Sequence, residues 1–159
     1  MTSVREDAKT VSKEPDTAGA ESGEASQAFA DAVARANSAI EAIGNDYRQR
    51  LIDDGKQLRK LLDEAEQSDD RGEIFQSIFE VTHNIKGQAG SFGYALLTKL
   101  GASLCDYLRA GDHTDNDALQ IVRHHVTTIT SVIDEDIQGD GGELGTQLMG
   151  RLHALSEPD

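Results

Sequence analysis

Residues 83 to 94 read His-Asn-Ile-Lys-Gly-Gln-Ala-Gly-Ser-Phe-Gly-Tyr. An imidazole, an ammonium and two glycines fall within eight residues, inside a segment whose flanks have helical period. A glycine in a helix interior costs roughly 0.5–1 kcal/mol relative to alanine. Two of them close to one histidine imply that something must approach that histidine. A wheel at about 100° per residue gives its direction. With His83 at zero, Ile74, Ile78, Val81, Ile85 and Phe92 fall at roughly 160–220°, a continuous apolar stripe that reads as the core face. His83 lies opposite, toward solvent. Gly87 and Gly90 lie about 40° and 20° from it, at i+4 and i+7, so the ring stands above a cleared surface. Lys86, about 60° away, can bring a cation to whatever the ring carries. Phe79, at i−4 and outside the core stripe, reads as part of a docking surface, with Phe75 flanking it.

A solvent-facing imidazole is mostly neutral at neutral pH and is then a nucleophile that can be phosphorylated on nitrogen. Phosphoryl transfer asks for an in-line approach, room, and positive charge near the equatorial oxygens. The glycines supply room and Lys86 supplies charge. No second catalytic apparatus is visible: there is no Gly-rich phosphate loop and no Walker-type Gly-Lys-Ser/Thr. The positions four residues from His83 are Phe79 and Gly87, which rules out a two-ligand helical metal motif there. His113, His124 and His125 are too scattered for one, so no metal site is expected.

The elements that must position these groups read as helices throughout. Residues 1–25 are Thr, Ser, Glu, Asp, Ala and Gly with few large apolar groups, and read as a disordered acidic tail. Phe29, Val33, Ala36, Ile40 and Ile43 step by three and four, and Gly44-Asn45 reads as a break. Tyr47, Leu51, Leu58 and Leu62 carry a helix to about Gln67. Ser68-Asp69-Asp70 reads as a turn and N-cap, followed by a helix from about Arg71 to Gly90. A break near 91–93 precedes a helix with Leu96, Leu97, Leu100, Leu104 and Leu108. Leu119, Val122, Val126, Ile129, Ile133 and Ile137 mark the last long helix, closed by Gly139-Asp140-Gly141-Gly142. Short connections between long amphipathic helices predict an all-α, antiparallel up-and-down four-helix bundle over 45–67, 71–90, 94–110 and 115–138. The 27–43 segment would be one extra N-terminal helix packed on it. The domain reading is a tail at 1–25, a helical bundle at 26–139 and a weakly helical extension at 140–159.

Composition bounds the rest. The 159 residues suffice for one core, built mostly from aliphatic side chains because Phe and Tyr make up 4% and Trp is absent. A net charge of −14 argues against nucleic acid and anionic membrane surfaces. No apolar run of membrane-spanning length and no signal-peptide core is present, so a cytoplasmic protein is expected. The lone Cys105 cannot form an internal disulfide. No coiled-coil seam is evident, and a monomer is expected, with association through 27–43 the alternative.

The stretch His83-Asn84-Ile85-Lys86-Gly87, with Gly93 six residues after Gly87, resembles the signature of histidine phosphotransfer (HPt) domains and of the phosphoryl-accepting domain of chemotaxis histidine kinases. The match falls on His83, Lys86, Gly87 and Gly93, and the bundle from about 45 to 138 fits the family's four-helix core. The resemblance implies that His83 is the phosphoacceptor, modified at Nε2, that Lys86 assists with the phosphate, and that Gly87 opens the face. It implies partners that are receiver domains of hybrid histidine kinases and response regulators, which supply the phosphorylatable Asp and the Mg²⁺. The protein itself would need no cofactor and would be a phosphocarrier rather than an enzyme. A docking module that binds and inhibits a receiver or kinase without accepting phosphate is the alternative. Chemotaxis-kinase domains place a glutamate from the next helix against the acceptor, where this chain has Cys105 with Asp106 beside it. Glu80, at i−3, is the nearer candidate. The residue after the acceptor is Asn84 rather than an acid, which disfavours an autokinase.

Overall fold

The computed structural model describes residues 17–157, with side chains described from residue 22. Among these residues every regular element is helical: α1 (Thr17–Gln67), α2 (Gly72–Ala89), a 3₁₀ turn (Gly90–Phe92), α3 (Ala95–Arg109), α4 (Asn116–Asp134) and α5 (Gly142–Ser156). Most of the expected tail, residues 1–16, lies outside the described residues; 17–25 are helix. Among the described residues no helix is long and apolar enough to cross a membrane.

The break expected at Gly44-Asn45 is absent. α1 runs through it, so the 27–43 segment is the first part of a 51-residue helix and not a separate element. One glycine in a helix costs about 1 kcal/mol, which helical neighbours on both sides outweigh. The chain nonetheless divides at this level into two units, with the compact one beginning at Ile43. In the preceding unit the side chains from 22 to 42 are all exposed.

The compact unit is built on one aliphatic core. Leu51, Leu58 and Leu62 of α1, Ile78 and Ile85 of α2, Leu96, Leu97, Leu100 and Leu104 of α3, and Val122, Val126, Ile129 and Ile133 of α4 are buried together. These are the three-and-four-spaced positions of each helix, where a single apolar stripe can face one interior. Gly55 of α1 faces Ile133 of α4, where a Cβ would make ordinary van der Waals contact at 3.6 Å. α2 packs chiefly on α3, and α5 closes on α3 and α4 with Leu152 and Gly145 buried. The expected weak extension is thus a regular helix covering the core. α4 ends at Asp134, short of the expected 138, and Asp136 turns the chain with φ +52°.

One buried cation ties three of these elements at one end. Arg71 precedes α2 and is 7% exposed. Its Nε donates to Ala65 O at 2.8 Å, one amino group to Thr114 O at 3.0 Å and the other to Asn116 Oδ1 at 3.1 Å. It thus satisfies a carbonyl near the end of α1 and holds the α3–α4 connection against it. The Ser68-Asp69-Asp70 segment forms the expected turn, with Ser68 Oγ accepting from Asp70 N at 3.1 Å, but it does not supply the expected N-cap: no side chain caps α2. Asp115 does cap α4, accepting from Ala118 N at 2.8 Å.

Candidate functional site

α2 presents His83 as the wheel requires. The imidazole is exposed, while Ile78, Val81 and Ile85 on the opposite face are buried. Among the described residues a Cβ built on Gly87 meets nothing within 4 Å, so no packing there requires a glycine. The space beside His83 is open to an incoming group. Gly90 differs: it opens the 3₁₀ turn, and a Cβ there would stand 3.2 Å from Thr98 Oγ1. Its smallness therefore serves the approach of α2 to α3 as well as the cleared face.

Lys86 is half-buried, and α3 explains why. A Cβ on Gly101 would lie 3.2 Å from Lys86 Cβ and 3.4 Å from its Cα. The glycine lets α3 run directly against the base of this lysine. That fixes where the flexible stem of Lys86 begins. Cys105, one turn further along α3, is buried, and burial pushes its thiol up, partly offset by the nearby Lys86. A neutral, buried thiol is no substitute for a carboxylate beside the acceptor. Asp106 and Glu80 are both exposed. Among the described residues neither they nor any other side chain forms a hydrogen bond or ion pair with His83.

The histidine's neighbour is aromatic. The Phe79 ring lies 5.7 Å from the His83 ring, nearly parallel at 15°. The guanidinium of Arg109, from the end of α3, stands over the same phenyl ring at 5.0 Å. Arg109, Phe79 and His83 therefore form a ladder in which a cation holds the face of a ring that flanks the imidazole. Phe79 is half-buried, as a surface residue that packs on one side must be. Phe75, expected beside it on the docking face, is 5% exposed and belongs to the core. Near Arg71 the α3–α4 connection is drawn close, and Phe75 lies in a cleft of about 290 Å³ lined also by Leu108, Gly111 and Thr114. Cover from another element, invisible on a wheel of α2 alone, turns this ring inward.

Phe92, expected on the core stripe, is 37% exposed and stacks on Tyr47 at 4.1 Å. The reason is pitch: α2 stops at Ala89, and three residues of 3₁₀ turn rotate Phe92 off the stripe. Gly93 then adopts φ +86°, a left-handed conformation that favours glycine, and Tyr94 N returns to Ala89 O at 2.9 Å. The turn is held from outside: Gly139 N donates to Gly93 O at 2.6 Å, and Leu96 N to Gly139 O at 2.8 Å. Tyr94 OH donates to Asp136 at 2.6 Å, and Arg48 pairs with the same carboxylate. Tyr47, beneath, has its phenol pushed up to about 12, chiefly by burial.

Sequence reasoning placed His83, Lys86, Gly87, Gly90, Phe79 and Glu80 on one helix. Gly101 and Arg109 escaped it because their roles come from α3 packing on α2. The only local trace of Gly101 was a glycine amid the leucines of an amphipathic helix, which is a signal of close approach.

The family model described as Hpt domain matches residues 45–139. That span takes in α2, α3, α4, the 3₁₀ turn and the part of α1 that enters the core. No curated protein matches the chain. No solved structure matches it either.

Proposed function

Because the chain belongs to the Hpt domain family, whose members carry phosphoryl groups on histidine in phosphorelays, we propose that His83 is the acceptor in this one. It takes a phosphoryl group from the aspartyl phosphate of one receiver domain and passes it to another. A ring-nitrogen lone pair, Nε2 by family resemblance, forms the N–P bond as the acyl-phosphate P–O bond breaks and the receiver's carboxylate leaves. Delivery to the second receiver reverses these events. The observation that carries the reading is the pairing of an exposed His83 with unfilled space above Gly87. Nothing among the described residues uses that space, so an incoming phosphoryl group and the domain that brings it can.

Lys86 is assigned the charge facing the phosphoryl oxygens, its stem anchored by Gly101. Phe79, Gly87, Gly90 and Glu80 are assigned to the docking face, with Arg109 added and Phe75 removed to the core. The receiver supplies the Asp and the Mg²⁺, and this chain adds no cofactor. Short connections at 68–71, 93–94 and 110–115 support an antiparallel up-and-down order for α1 to α4. A net charge of −14 is in keeping with a cytoplasmic carrier that binds neither nucleic acid nor membrane.

The test is incubation with a receiver domain phosphorylated on its Asp. Wild type acquires an acid-labile label, and His83→Gln does not. Label that persists in His83→Gln overturns the assignment, and docking of wild type without label points to an inhibitory docking module instead.

A further inference from the structure

The first part of α1 carries the largest unexplained feature of the molecule. Phe29, Val33, Ile40 and Ile43 are 72%, 41%, 65% and 55% exposed. With Ala36 they follow a strict 4-3-4-3 spacing along a continuous helix. That is the a/d seam of a heptad repeat, which fits another helix with the same repeat. We propose that this seam is the dimer interface of the protein and that its occupant is the same helix of a second copy. A monomer is expected from the sequence because no coiled-coil seam is evident, with association through 27–43 as the alternative; the continuous helix and the exposure of this stripe favour that alternative.

Charge placement favours a second copy. A chain of net charge −14 repels itself, so self-association needs a face without like charges. Between residues 22 and 43 the charged residues are Glu24, Asp31, Arg35 and Glu41. In the register set by the seam, each of them occupies b, c or f, on the outer side. The e and g positions flanking the seam hold Gly23, Ala25, Ala30, Ala32, Asn37 and Ala39. Two copies can therefore meet without facing carboxylates, and the alanines let the backbones come close. A membrane surface fits poorly, since an interfacial helix would line its polar face with Lys and Arg, and Arg35 is the one cation in this span.

The size of the contact sets its strength. Twenty-two residues make a strip about 33 Å long and one helix, about 10–12 Å, wide. Two such strips bury on the order of 800 Å², below the range of stable complexes. The dimer is accordingly reversible and concentration-dependent.

Sedimentation velocity on the full chain, from micromolar to several hundred micromolar, decides the matter independently of the phosphotransfer reading. The expected mass rises from 17.1 kDa toward twice that value. Ile40→Asp lowers the association constant at least about tenfold. Ile40→Ala, which keeps the helix, lowers it less, and Asp31→Lys on the outer side leaves the dimer in place. Urea unfolding of each variant verifies that the compact unit is folded. A monomer at every concentration overturns the proposal, as does a dimer indifferent to both Ile40 variants.

Discussion

At the scale of the residue, the site is defined as much by an absent side chain as by those present. Gly87 lies in a helix interior, where glutamine is the better helix former by up to about 1 kcal/mol, and nothing within 4 Å would resist a Cβ. Gly87→Gln should therefore raise the thermal midpoint while slowing phosphoryl transfer at least about tenfold, since the new side chain fills the space beside His83. Thermal unfolding and a transfer time course on the same samples check both signs. Unchanged transfer would mean that access is not what this glycine provides. Phe79 is the complementary case, because its ring meets both His83 and Arg109. Phe79→Ala should weaken receiver binding several-fold, with a stability loss of only about 1–2 kcal/mol for a half-buried ring that also gives up its stacking. A titration against a receiver alongside urea unfolding separates the two, and normal binding with a large stability loss would place the ring in the core.

At the scale of the element, the helices are positioned by a few contacts between distant residues. Arg71 is buried and donates to three oxygens on two other segments with no carboxylate among them. Arg71→Met keeps the length of the stem and removes every donor, and should cost about 2–4 kcal/mol in urea unfolding. A loss below about 1 kcal/mol would show that water replaces the guanidinium without penalty. What could be read from sequence divides along the same line. The direction of His83 was legible because a helix relates neighbours three and four apart by geometry alone. The burial of Phe75, the hold of Arg109 on Phe79 and the fit of Gly101 against Lys86 were not, because each depends on which helix lies alongside. Gly44-Asn45 misled for a related reason: a local turn preference is worth less than the helix continuing on both sides of it.

At the scale of the whole molecule, stability carries a pH dependence set inside the core. His125 is fully buried, with Nδ1 donating to Ile121 O at 2.9 Å and Nε2 2.9 Å from Ser103 Oγ, which donates to it. Burial lowers its proton affinity, only partly offset by the bond to Ile121. The depressed folded-state value fixes the sign. Below about pH 6.5 an unfolded histidine takes up a proton that the folded one refuses, so stability is full above that pH and falls as the pH drops, by up to about 1.4 kcal/mol per unit. The stability difference between wild type and His125→Leu should therefore shrink between pH 7.5 and 5.5. A constant difference in urea unfolding would show that His125 titrates alike in both states. The contact of Gly101 with Lys86 has its own consequence for engineering. The acceptor segment is not portable: α2 transplanted onto another scaffold would keep its histidine and lose the close-fitting helix that seats its lysine. A functional graft has to carry α2 and α3 as one cassette, with the glycine at their crossing intact.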